Sequence, residues 1–96
     1  MMMIKPLIAE ILVDKAKGMD NVSGRSPVTI ASACIYLSSH LMGSGRDLKA
    51  ISEIAGVGEA AIRTSYKILH ANRNNLLTPD IFTRAPKASE ANLPIH

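Results

Sequence analysis

Several things are scarce in this chain, and each scarcity removes a class of function. Aromatic residues make up 3% of ninety-six positions, namely Tyr36, Tyr66 and Phe82. That is too few rings for a platform that stacks single-stranded bases or for an aromatic RNA-binding sheet, so the core has to be aliphatic. Cysteine occurs once, at Cys34, which excludes an internal disulfide, and no Cys/His set has the spacing of a zinc site. A reducing compartment is the default that follows. No apolar run approaches the roughly 20 residues that cross a bilayer. Met1 to Val13 holds one basic residue, Lys5, and its apolar stretch is broken by Glu10, so it lacks both the charged and the uninterrupted apolar regions of a signal peptide. There is also no carboxylate pair, glycine-rich phosphate loop or nucleophile elbow. Cys34 lies between Ala33 and Ile35 with no His or Asp placed to activate it, the setting of a small buried hydrophobe. The sequence is that of a non-enzyme with no cofactor, no metal, no small-molecule substrate and no membrane partner.

What is present suits one globular domain. Hydrophobic residues are 47% and charged residues 20%, ordinary values for a folded chain, and a chain this short supports a single core. The net charge of +3 gives a weak field unless the cations cluster, so their placement matters more than their sum.

Helical periodicity runs through most of the chain. Pro6 to Lys17 puts Leu7, Ile8, Ile11 and Leu12 on one face, opposite Glu10, Asp14, Lys15 and Lys17; this is an amphipathic helix with a proline in its first turn. Gly18, Asn21, Ser23 and Gly24 make a turn-rich linker. Ser26-Pro27 then supplies a capping hydroxyl and a proline for the first helical position. From Val28 to Met42 the residues are small or aliphatic nearly all round, which predicts a central helix enclosed by others. Gly43-Ser44-Gly45 interrupts it, and Asp47 is placed to cap a short helix, Leu48 to Ala55, with apolar members Leu48, Ile51, Ile54 and Ala55. Gly56 ends that helix. Only Val57 and Gly58 separate it from a further helix, roughly Glu59 to Asn72, in which Ile62, Tyr66 and Leu69 recur at helical spacing. Beyond Asn75, prolines 79, 86 and 94 predict an irregular tail, with Leu76, Leu77, Ile81 and Phe82 pressed against the domain.

Two short helices joined through a glycine-containing turn form a helix-turn-helix, a motif that places its second helix in the DNA major groove. Ile51 and Ile62 can pack the pair together, Ser52 allows close approach, and Gly56 tolerates a left-handed corner. Plain helix packing and DNA reading both stay open on this pattern alone. Charge placement favours the second. Arg46, Lys49, Arg63, Lys67 and Arg73 are five of eleven basic residues and fall in or beside the motif. An arginine fork one turn into the second helix can pair with guanine, while lysines can meet phosphates. Asp47, Glu53 and Glu59 dilute the patch.

The segments Gly24-Arg25-Ser26-Pro27-Val28-Thr29-Ile30-Ala31, Ile35-Tyr36-Leu37, Ile51-Ser52-Glu53-Ile54-Ala55-Gly56-Val57 and Ala61-Ile62-Arg63-Thr64-Ser65-Tyr66-Lys67 occur in an order that resembles the second cyclin-like repeat of the general transcription factor IIB family. The likeness runs from about Pro6 to Phe82, and Tyr66 through Arg73 is most similar to fungal members. The resemblance implies an all-α, cyclin-like helical repeat that docks on promoter-bound TATA-binding protein in the nucleus and contacts promoter DNA beside the TATA element. It places Arg63 at the groove-reading arginine, and Lys49 and Lys67 at basic positions near DNA. Ala60 stands where members that read an upstream element carry valine, and Ala61 replaces a threonine. The candidate DNA-contacting set is therefore Arg63, Lys49, Lys67, Ala60, Thr64 and Arg46.

Against the family pattern, four of the repeat's five helices are expected, with no zinc ribbon and no first repeat. A cyclin-like repeat is expected over 1–78, with the helix-turn-helix at about 47–72 and an irregular tail over 79–96. The resemblance then predicts a fragment or truncated product, marginally stable or self-associating, because an uncovered apolar face of a few hundred Å² costs several kcal/mol at about 25 cal/mol per Å². Two other functions fit the same residues: an autonomous helix-turn-helix regulator that dimerises on paired half-sites, and a protein-only adaptor whose basic residues stay solvated.

Overall fold

The computed structural model describes residues 7–19 and 25–94. Pro6 and the linker residues Asn21, Ser23 and Gly24 lie outside the described residues. Helix α1 (Leu7–Ala16) sends Ala9, Leu12 and Ala16 into the core at three- and four-residue intervals, the spacing that keeps side chains on one stripe. Glu10, Asp14 and Lys17 are exposed on the other side.

Helix α2 (Pro27–Leu41) begins as its sequence dictates. The Ser26 hydroxyl accepts from the Thr29 amide at 3.3 Å, and Pro27 fills the first helical position. Its eight buried residues include Ala33, Cys34, Leu37 and Leu41, and it is flanked by α1, α3 (Leu48–Ala55), α4 (Glu59–Ala71) and a C-terminal 3-10 turn, Glu90–Asn92. A helix so enclosed can carry a hydroxyl only if its proton is bonded; buried Ser32 donates to the Val28 carbonyl at 2.7 Å. Cys34 is fully buried, and burial pushes its thiol up to about 12. No nucleophilic thiolate forms at neutral pH.

Between α3 and α4 the chain turns at Gly56, whose φ of 73° and ψ of 26° are left-handed. A side chain there is strained, so glycine is the residue that fits. The Gly56 amide donates to the Ser52 carbonyl at 2.9 Å, and the Ser52 hydroxyl donates to the Val57 carbonyl at 2.5 Å. Ser52 thus ties the corner as well as allowing close approach. Leu48, Ile51 and Ile62 are buried beneath it. Ile54, though an apolar member of α3, is 86% exposed. Helical angles explain this, since Leu48, Ile51 and Ala55 share one side of an eight-residue helix and position 54 falls about 100° off that stripe.

Beyond Pro79, where prolines lead to an expectation of irregular backbone, the chain instead forms helix α6 (Pro79–Arg84), after the short α5 (Arg73–Leu76). Proline suits a first helical turn, where its missing N–H is not needed. Leu76, Leu77, Ile81, Ala85 and Leu93 are buried, and Phe82 packs beside them. The segment then crosses the end of α2. The Ser89 amide and the Asn92 side-chain amide both donate to the Leu41 carbonyl, at 2.9 and 3.3 Å, satisfying an acceptor that a helix end leaves free. The Tyr66 hydroxyl donates to the Pro94 carbonyl at 2.6 Å. On the other side, the Lys15 ammonium donates to the Leu76 carbonyl at 3.2 Å and to the Thr78 hydroxyl, and pairs with Asp80 at 3.5 Å. Residues 73–94 therefore clasp α1, α2 and α4.

Candidate nucleic-acid interface

Helix α4 divides into two faces. Ile62, Ser65, Tyr66 and Leu69 are buried, which turns Ala60, Arg63, Thr64 and Lys67 outward at i, i+3, i+4 and i+7, a single stripe on a helix surface. Ala60, Thr64 and Lys67 are exposed and Arg63 is half-buried. Arg46 and Lys49, at the start of α3, are both exposed. The corner at Gly56 thus joins the helix that carries Lys49 to the one that carries Ala60, Arg63, Thr64 and Lys67, with Arg46 in the loop just before α3. Among the described residues none of the four cations, Arg46, Lys49, Arg63 and Lys67, has a carboxylate within 4 Å, whereas Lys15, Lys17 and Arg73 do.

Arg63 and Arg46 both line a groove of about 450 Å³, whose walls include Tyr36, His40, Asp47 and Glu59. Lys49, Lys67, Ala60 and Thr64 lie outside its lining. Asp47 occupies the N-cap position of α3 with extended backbone, but its carboxylate accepts no capping hydrogen bond. The sequence expectation of a side-chain cap is corrected here; Asp47 is among the residues that line the groove. Burial raises the Tyr36 phenol above its ordinary value, while Arg63 draws it down and Asp47 pushes it up; both charges therefore reach the same ring.

The groove floor is set by aromatic packing. His40 meets Tyr36 edge-on at 4.6 Å, and Tyr36 meets Tyr66 edge-on at 5.1 Å, an arrangement that ring quadrupoles favour. Burial pushes the Tyr66 phenol up to about 12. Gly45 closes over the imidazole so tightly that an added Cβ would stand 2.3 Å from two ring atoms. The buried Nε2 of His40 finds no hydrogen-bond partner among the described residues.

Sequence reasoning assigned the stripe on α4 but not the groove: Asp47 and Glu59 entered it as diluting charge, and Tyr36, which is buried in the core, also lines the groove. Glu59 and Arg63 stand four apart on one helix, a spacing visible in the sequence. Among the described residues no group of three His, Cys, Asp or Glu side chains could hold a metal, and no helix is long and apolar enough to cross a membrane.

The family of the transcription factor TFIIB repeat matches residues 7–72. The chain is 40% identical to transcription initiation factor IIB of Schizosaccharomyces pombe over 83 residues, which cover 86% of this chain and 24% of that protein. It is 39% identical over 75 residues to the Drosophila melanogaster factor of the same name, covering 78% and 24%, and 36% identical over 74 residues to the human one, covering 77% and 23%. The chain spans about a quarter of the length of these relatives. Its helix order, its Gly56 corner and these matches agree: the chain belongs to the transcription factor TFIIB repeat family and has that family's all-α, cyclin-like fold.

Proposed function

We propose that the chain is a promoter-assembly module of RNA polymerase II transcription initiation, acting in the nucleus by binding TATA-binding protein together with the DNA that flanks a TATA element. The observation that carries this reading is the outward stripe Ala60, Arg63, Thr64 and Lys67 on α4, beside Arg46 and Lys49, with all four cations unpaired among the described residues. Relatives named transcription initiation factor IIB support the same assignment.

In this role α4 approaches the major groove, Arg63 donates its fork to guanine, and Lys49, Lys67 and Arg46 meet phosphates. One bidentate contact supplies about 1–3 kcal/mol of discrimination, so most affinity comes from phosphates and from the protein partner. Binding to DNA alone is weak, about 10⁻⁴ to 10⁻⁶ M at physiological salt, with log affinity falling as log salt rises.

Fluorescence anisotropy of a TATA duplex, with and without TATA-binding protein at two salt concentrations, tests the proposal. Tightening by the partner supports it, and equal affinity in its presence and absence overturns it. A footprint of paired half-sites would point instead to an autonomous regulator. Partner binding that ignores Arg63→Ala and Lys67→Ala would point to a protein-only adaptor.

A further inference from the structure

The loop between α2 and α3 carries Arg46 with almost no side chains to hold it. Gly43, Ser44, Gly45, Arg46 and Asp47 are all exposed, so no apolar packing fixes these five positions. Two glycines among them make the backbone costly to order. The order comes from the last turn of α2. The Gly43 amide donates to the His40 carbonyl and the Ser44 amide to the Ser39 carbonyl, each at 2.9 Å. The Arg46 amide donates to the Ser39 hydroxyl at 3.0 Å, and that hydroxyl donates to the Tyr36 carbonyl at 2.9 Å.

Between these bonds the His40 ring lies against Gly45, where an added Cβ would stand 2.3 Å from two ring atoms. The φ of Gly45 is not positive, so it is the imidazole, not the backbone, that calls for glycine there. Stability alone does not account for that imidazole. Its buried Nε2 has no hydrogen-bond partner among the described residues, and a buried polar atom left unpaired costs free energy. An apolar side chain would fill the place without that cost. The ring instead stands between the loop and Tyr36, whose centroid is 4.6 Å away, and both lie in the wall of the groove that Arg46 and Arg63 line.

Resting on the DNA-contact reading above, we propose that His40 is a positioning residue for Arg46: the imidazole and Gly45 form a matched seat that fixes the loop, so that the Arg46 guanidinium meets a DNA phosphate already oriented. Ordering a loop and a long side chain on binding lowers affinity, and a loop ordered in advance loses less. His40 acts through Arg46 and makes no contact of its own with DNA.

The experiment is an anisotropy titration of a TATA duplex, with TATA-binding protein present, over a series of salt concentrations. The parent is compared with His40→Ala, Gly45→Ala and Arg46→Ala, and with each of the first two combined with the third; Lys67→Ala is the control for a phosphate contact on another element. Amide hydrogen exchange at Ser44 and Arg46 follows the loop without DNA. Removing the ring and crowding it have the same result. His40→Ala and Gly45→Ala each weaken binding about two- to fivefold, the upper scale of an exposed ion pair, and lower the salt slope by about one phosphate contact, and the two amides exchange faster. Beside Arg46→Ala neither weakens binding further, since the seat then has nothing to position. Gly45 is on the exposed loop, so its variant tests the seat even where His40→Ala lowers stability. A loss that persists in full beside Arg46→Ala, or amide exchange that stays at the parent's rate, overturns the proposal, because the histidine then acts on the fold at large or not at all. Arg46→Ala leaving the slope unchanged while Lys67→Ala lowers it overturns the proposal and spares the DNA-contact reading. A slope unmoved by every variant, Lys67→Ala included, removes that reading, and this inference with it.

Discussion

Two regions of the molecule treat half-buried cations in opposite ways. In the C-terminal clasp, Lys15 donates to the Leu76 carbonyl and the Thr78 hydroxyl and pairs with Asp80, while Arg73 pairs with Glu90 at 3.4 Å and donates to the His70 carbonyl at 2.8 Å. At the helix-turn-helix corner, Arg63 is also half-buried and has no carboxylate within 4 Å among the described residues. The two kinds of cation therefore contribute to different things. The clasp spends its charges on closing the fold, whereas the corner is held by apolar packing and a glycine turn, and its cations take no part in a carboxylate pair among the described residues.

The largest effect that sharpens this contrast comes from the apolar side. Ile62 is fully buried between the corner and the core, so Ile62→Ala leaves a cavity and lowers stability by about 3 kcal/mol in urea unfolding. Next comes the clasp. Lys15→Met keeps the aliphatic stem but removes three polar contacts, and a loss of about 1–2 kcal/mol is expected, the scale for hydrogen bonds from a charged donor. A stability unchanged by Lys15→Met would erase the distinction between the two regions.

The corner's own turn ranks third. Gly56 has open space where a Cβ would stand, so Gly56→Ala carries only the cost of a left-handed backbone, about 1 kcal/mol. A loss several times larger would mean that the corner is also packed against something, which the geometry does not indicate.

How much of this was legible in the sequence differs between the same two regions. The corner could be read directly, because Gly56 sits where backbone geometry requires it, and the start of α2 was legible in the same way from Ser26-Pro27, where hydroxyl and proline are needed. These are local constraints, carried by one or two residues. The clasp was less visible, because α6 begins at a proline that also serves as a loop marker, and its bonds join residues such as Tyr66 and Pro94 across 28 positions. The groove was half legible. Its arginines follow from helical spacing, but Asp47 lining it without capping α3, and Tyr36 forming its floor, depend on how α2, α3 and α4 pack. Ile54 shows the limit from the other side: it is one of four apolar members of α3, and its angular position on a short helix, not its hydrophobicity, puts it outside.

A pH titration probes the clasp more gently. The Thr78 hydroxyl, foremost, and the Lys15 ammonium hold the Asp80 carboxyl below its ordinary 3.8. A carboxylate lowered in the folded state binds fewer protons there than when unfolded, so its contribution is present above about pH 4 and is lost as pH falls through the lowered value. Asp80→Asn is expected to remove that increment of acid sensitivity, and the effect is small because Asp80 is exposed. Thermal melts of both proteins between about pH 3 and pH 6 check it.

The smallest expected change in stability is the one that tests the contrast most directly. If Arg63 and Lys67 take no part in closing the fold, Arg63→Ala and Lys67→Ala leave the free energy of urea unfolding within about 0.5 kcal/mol of the parent, as surface substitutions do. The same variants act on binding to TATA duplex and TATA-binding protein. Lys67→Ala lowers the salt slope by about one phosphate contact and weakens binding alike on all sequences, while Arg63→Ala weakens it mainly where guanine is present. A stability loss of 2 kcal/mol or more on removing Arg63 would instead make its guanidinium a structural group like those of the clasp. The groove would then be a packed joint between helices, and its unpaired charge would no longer point to a ligand.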